Sequence, residues 1–123
     1  MKKIKIIGFA ASNSSSSINH QLVSYALKLV DNSEVIKLTD YIIPIYSEDL
    51  EKSEGIPQSV KDLNAKLTES DKIIISVNEH NGNISAFFKN ILDELFKLHT
   101  KSKLNFSFMY TFLILKIWYF KRK

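Results

Sequence analysis

Two short stretches hold most of the residues able to do chemistry. In the first, Ser12 and Asn13 precede an unbroken serine run at 14–17, followed by Ile18, Asn19 and His20. In the second, Asn78, Glu79, His80, Asn81 and Gly82 stand in a row. The first is rich in neutral hydrogen-bond donors and holds no Lys or Arg. That set suits a terminal phosphate monoester held by hydroxyls and backbone amides, not a triphosphate with magnesium. The second is turn chemistry, in which Gly82 can take positive φ. His20, His80 and His99 lie far apart, none with a partner at metal-ligand spacing, so no metal is expected. There is no cysteine, which excludes disulfides, thiolate chemistry and zinc-thiolate sites. The acids of residues 46–51 are adjacent and splay apart, so they make no acid–base pair. A surface or dimer-contact segment is expected there instead.

The elements around these stretches say what each must be. Low-complexity serine usually marks a disordered linker. Here the serines follow a nearly continuous apolar run, Ile4, Ile6, Ile7 and Phe9, which suits a strand buried on both faces. They precede Ile18, Leu22, Tyr25, Ala26, Leu29 and Val30, which recur at helical spacing. A loop running from a strand into a helix N-terminus offers free N–H groups and the positive end of the helix to an anion. The plainer alternative is that Ser16 or Ser17 only caps the helix. Further on, residues 34–38 read as a second strand, Val60, Leu63 and Leu67 as one stripe of a helix entered through Pro57, and 71–77 as a third strand. Phe87, Phe88, Ile91, Leu92, Leu95 and Phe96 mark a third helix. Strand and helix alternate, which predicts a doubly wound parallel α/β sheet in three α/β/α layers. Ligands of such sheets bind at the carboxyl ends of the strands, where both polar stretches fall.

Neither a P-loop nor a dinucleotide fingerprint is present. Taken together, residues 12–22, 44–57 and 76–93 resemble the NADPH-dependent FMN reductases, flavodoxin-like proteins that include quinone, azo and chromate reductases. Their first loop reads Ser-x-Arg-x-x-Ser-x-Asn. Ser12, Ser17 and Asn19 match it, and Ser14 stands where the arginine often is. Their second loop reads Pro-Glu-Tyr-Asn-Gly. Glu79, Asn81 and Gly82 match, with Asn78 for the proline and His80 for the tyrosine. The resemblance implies that Ser12, Ser14, Ser17, Ile18 and Asn19 hold the FMN phosphate. It implies that Asn78, Glu79, His80, Asn81 and Gly82 lie against the flavin ring. It further implies NADPH or NADH as co-substrate, a small-molecule electron acceptor such as a quinone or flavin, and a homodimer or homotetramer. The cofactor carries the chemistry in this family, so no catalytic acid or base is expected. The alternatives are a non-catalytic flavin- or anion-binding module and an inactive product.

The chain has 123 residues, 45% of them hydrophobic and 24% charged, with a net charge of +4. Its lysines are spread along the sequence, so no nucleic-acid partner is expected. The basic then apolar N-terminus is interrupted by Lys5 and is too short for a signal peptide, which places the protein in the cytoplasm. The resemblance ends near Asp93. Such sequences continue with a fourth strand, a glycine-rich loop and a fifth strand, whereas here no glycine follows Gly82. Residues 1–96 therefore read as the N-terminal part of a flavodoxin-like FMN-binding domain, incomplete at its C-terminal end. Residues 97–123 read as an atypical apolar tail that does not replace the missing strands, with one edge strand or helix packed beside the third strand as the plainer alternative. Lys116 lies within its apolar run, which is too short to span a membrane. Poor solubility, or an oligomer that hides the tail, is expected.

Overall fold

The computed structural model describes residues 3–101 and 112–116. In chain order the elements are β1 (Ile6–Ala10), α1 (Ile18–Lys28), β2 (Ser33–Val35), a 3-10 turn (Leu38–Asp40), α2 (Glu48–Glu54) and α3 (Gln58–Thr68). Then come β3 (Lys72–Val77), a short pair β4 (Glu79–His80) and β5 (Asn83–Ile84), α4 (Ala86–Lys101) and β6 (Phe112–Lys116). The main sheet is parallel throughout, in the order β2-β1-β3-β6. Its connections reverse direction between β1 and β3, which is the switch point of a doubly wound sheet.

The sheet confirms the predicted class and corrects three of its details. The sequence shows three strands, but the sheet has a fourth: residues 112–116 of the supposed tail pair with β3 from Ile73↔Phe112 to Val77↔Lys116. A uniformly apolar run without turn residues gives no boundary to read, yet it suits a parallel strand. The remaining tail residues, 102–111 and 117–123, lie outside the described residues, and the expected boundary at 96/97 falls inside α4. Second, β2 ends at Val35 rather than 38, because Leu38 turns inward, 2% exposed, and starts the 3-10 turn. The segment still reaches β1 through Ile36 N–H to Gly8 O at 2.9 Å.

The third correction concerns α1. Its buried face is Val23 and Leu27, while Ile18, Tyr25 and Leu29 from the predicted stripe are more than half exposed. The reason lies in Gly8. A Cβ there would stand 2.6 Å from Leu27 Cδ1 and 2.8 Å from Val23 Cγ2, so only glycine lets α1 seat this closely on β1. On the opposite side of the sheet, Ile7, Phe9, Ile73 and Ile75 pack with Leu63 and Leu67 of α3 and Phe88 and Ile91 of α4. The residues between them in β1 and β3 face α1, which gives the three layers. Among the described residues no helix is long and apolar enough to cross a membrane.

Two charged features belong to the frame. Lys5 and Lys66 bind Glu34 and Glu69 in a surface network at 2.8 to 3.7 Å, near the amino ends of the strands and away from the polar loops. Glu94 on α4 is 5% exposed. Burial pushes its carboxyl above the ordinary value of 4.5, with the charges of Glu51 and Asp93 adding to the rise and Lys97 opposing it. A raised carboxyl favours the protonated form in the folded chain. Its contribution is therefore present at acid pH and is lost as pH rises through the folded value. Glu94→Gln is expected to raise the melting temperature by a few degrees at neutral pH, on the order of 1 kcal/mol or less, and to change it little near the acid end. Thermal melts of both proteins across pH check this.

Candidate functional site

The serine stretch folds as a chain of local hydrogen bonds that ends in a helix cap. Ser14 N–H donates to Ser12 Oγ at 3.1 Å, and Ser16 N–H donates to Ser14 Oγ at 3.3 Å. Ser17 has extended backbone and accepts from His20 N–H at 3.1 Å, so it is the N-cap of α1. The capping alternative raised for Ser17 is thus realised. It does not exhaust the residue, because a hydroxyl that accepts still has its hydrogen to donate. The amides of Ile18 and Asn19 belong to the first helical turn and have no intrahelical acceptor.

These serines form one wall of a groove of about 230 Å³. Ser12, Ser14, Ser15 and Ser17 stand on one side with His20, and Lys37, Thr39 and Asp40 stand on the other, on the turn after β2. Of the residues assigned to the loop, Ser12, Ser14 and Ser17 line the groove, while Asn19 turns toward β3. The groove opens at the carboxyl ends of β1 and β2, the end of the sheet where ligands of this architecture bind.

The second stretch builds a small hairpin at the carboxyl end of β3. Glu79 pairs with Ile84 and His80 with Asn83, antiparallel. Between them Asn81 has φ 52° and Gly82 φ 79°. Two central residues with positive φ make a type I′ turn, for which Asn-Gly is the preferred pair. His80 Nε2 lies 3.0 Å from Asn78 Nδ2, and Asn78 Oδ1 is buried with no hydrogen-bond partner. A Cβ on Gly82 would meet nothing within 4 Å, so any substitution cost there is backbone strain alone. Gly82→Val is expected to cost about 2 kcal/mol at the turn, with helix and sheet content unchanged. Thermal melts followed by circular dichroism check this; an unchanged melting temperature would mean that the turn does not hold residue 82 at positive φ.

Two buried serines outside the two matched loop motifs hold the loops together. Ser76, fully buried in β3, donates to Asn19 Oδ1 at 2.7 Å. That bond ties the first turn of α1 to β3 and leaves the Asn19 amide hydrogens as its donors. Ser85, 3% exposed, donates to Ala11 O at 3.0 Å and accepts from Phe88 N–H at 3.2 Å, so it caps α4 and clamps it to the end of β1. A lone serine inside the apolar run 72–77 was the available signal for the first. The acidic segment is tied to α4 by polar contacts. Tyr46 Oη donates to Glu51 Oε2 at 2.8 Å under the Lys97 ammonium, and Asn90 fixes the chain through Tyr46 N–H and Pro44 O, both at 2.8 Å.

The chain is similar to several known proteins. The family model described as NADPH-dependent FMN reductase matches residues 4–111. An uncharacterized protein of Mycoplasma pneumoniae is 42% identical over 81 residues, covering 66% of this chain and 48% of its own length. An NAD(P)H-dependent FMN reductase of Pseudomonas aeruginosa is 30% identical over 91 residues, 73% of this chain and 49% of its own. Among solved structures, FerB, a flavoenzyme NAD(P)H:(acceptor) oxidoreductase from Paracoccus denitrificans, superposes with a TM-score of 0.61 at 26% identity, over 75% of this chain and 50% of its own. The chain thus spans about half the length of the curated relatives it matches.

Proposed function

Because the chain belongs to the NADPH-dependent FMN reductase family, we propose that it binds FMN across the carboxyl ends of β1 and β3 and passes reducing equivalents from NADPH or NADH to a small-molecule acceptor such as a quinone or a second flavin. The observation that carries this reading is the serine groove, rich in neutral donors, beside the Asn81-Gly82 hairpin at the switch point of the sheet. The residues present fit the cofactor. Hydroxyl hydrogens of Ser12, Ser14 and Ser17, the first-turn amides of Ile18 and Asn19, and the Asn19 side-chain amide would hold its phosphate. Asn78 Oδ1, buried and without a partner, is an acceptor waiting for a ring N–H. Glu79, His80, Asn81 and Gly82 would present the hairpin to the ring edge.

When bound, FMN supplies the hydride and electron transfer. The chain binds the phosphate, orients the ring by a hairpin of fixed turn geometry, and holds the two loops in register through Ser76 and Ser85. No side chain is assigned as acid or base. In this reading residues 1–96 are the flavin-binding part, and the protein works in the cytoplasm as a homodimer or homotetramer. The test is to titrate flavin-free protein with FMN and riboflavin, and to follow NADH and NADPH consumption with a quinone, with and without FMN. FMN is expected to bind about tenfold or more tightly than riboflavin, as two or more donors to a charged acceptor imply. Equal affinities would overturn the phosphate assignment. The alternative reading is a flavin-binding module without turnover. Tight FMN binding with no nicotinamide consumption would select it.

A further inference from the structure

We propose that Lys37 supplies the positive charge that the serine loop lacks, and so sets the preference of this site for a phosphorylated over an unphosphorylated flavin. This rests on the reading that the loop holds a phosphate monoester. Such a group carries a charge of about −1.5 to −2 at neutral pH. Hydroxyls and amides solvate that charge without neutralising it, and residues 12–19 contain no Lys or Arg.

The missing charge comes from across the groove. Lys37 lies at the start of the 3-10 turn in extended backbone, and the turn is anchored by the buried side chain of Leu38. Lys37 is the lysine among the residues that line the groove opposite Ser12, Ser14 and Ser17. Among the described residues it makes no ion pair, whereas Lys5, Lys52, Lys66 and Lys89 are all engaged with carboxylates. An exposed ammonium on a flexible stem is a movable point charge, able to reach an anion without a preset fork. Asp40, three residues on, lines the same groove with the opposite sign. It opposes a bound dianion and serves as the internal control: neutralising Lys37 and neutralising Asp40 must change FMN affinity in opposite directions.

The experiment titrates the flavin-free full chain and its Lys37→Gln, Lys37→Arg and Asp40→Asn variants with FMN and with riboflavin, at low salt and again at about 0.5 M salt. Lys37→Gln is expected to weaken FMN about fivefold at low salt and about twofold or less at high salt, the upper end of the range of an exposed, screened charge pair. Riboflavin affinity stays within about twofold on the same grounds. Lys37→Arg keeps the wild-type preference, and Asp40→Asn tightens FMN. The proposal is overturned if Lys37→Gln binds FMN as the wild type does at low salt. It is equally overturned if riboflavin is lost in parallel, or if Asp40→Asn weakens FMN. Wild-type protein that does not distinguish FMN from riboflavin overturns the phosphate reading itself. Wild-type discrimination that survives Lys37→Gln overturns only the role of Lys37.

Discussion

Gly8→Val is expected to lower stability by about 2–3 kcal/mol and to remove flavin binding with it. The chain of cause is short. A side chain at position 8 points at α1, where Leu27 Cδ1 and Val23 Cγ2 stand 2.6 and 2.8 Å from the first added carbon. Leu27 can swing its far end away. Val23 is β-branched and held to one rotamer in a helix, so the helix itself must move. That helix carries the Ser17 cap and the Asn19–Ser76 bond, so the groove deforms as α1 lifts. In a domain of this size about 1 kcal/mol corresponds to about 4–8 °C, so the melting temperature should fall by about 10 °C or more. Gly8→Ala adds only the first carbon and should cost about half as much or less. Thermal melts with an FMN titration of the folded fraction check both. A Gly8→Val protein that melts like the wild type would mean that α1 does not seat on β1 through Val23 and Leu27.

The same glycine shows where sequence reading succeeds and where it stops. The two loops were legible because each sits at a change of pattern. A strand run gives way to serines and then to helical spacing, and Asn81-Gly82 is a turn signal that needs no tertiary information. The buried face of α1 was not legible. Ile18, Leu22, Tyr25 and Leu29 are spaced as well as Val23 and Leu27, and only the gap left by Gly8 on the strand that α1 packs against decides between them. The fourth strand was legible only as an alternative, an edge strand or helix beside β3, for the opposite reason: residues 106–120 are so evenly apolar that no boundary stands out. Ser76 and Lys37 were missed because their roles depend on pairing. Parallel register sets Ala10 against Ser76 and brings β2 beside β1, which puts residues 37 and 76 next to a loop at 12–19. Spacing along the chain carries no trace of that.

Ser17→Asp should separate the two roles of the cap more cleanly than any truncation. Ser17→Ala would remove both the cap and a donor, so a loss of flavin could be read as a frayed helix. Aspartate is as good an N-cap as serine, and its charge is favourable at the positive end of α1. Stability should therefore stay level or rise by up to about 1 kcal/mol. The effect on FMN is the reverse. Two unit charges about 4 Å apart repel by about 1 kcal/mol even in bulk water, and the phosphate brings nearly two charges. A groove partly shielded from solvent strengthens the repulsion, and the lost hydroxyl donor adds about 1 kcal/mol. FMN affinity should fall about a hundredfold, while riboflavin, which lacks the phosphate, should change by about threefold or less. Calorimetric or fluorescence titration of the two flavins, beside a thermal melt, reads both effects on one sample. A stable Ser17→Asp protein that still binds FMN as tightly as the wild type would place the phosphate away from the start of α1, and with it the reason for five serines in this loop.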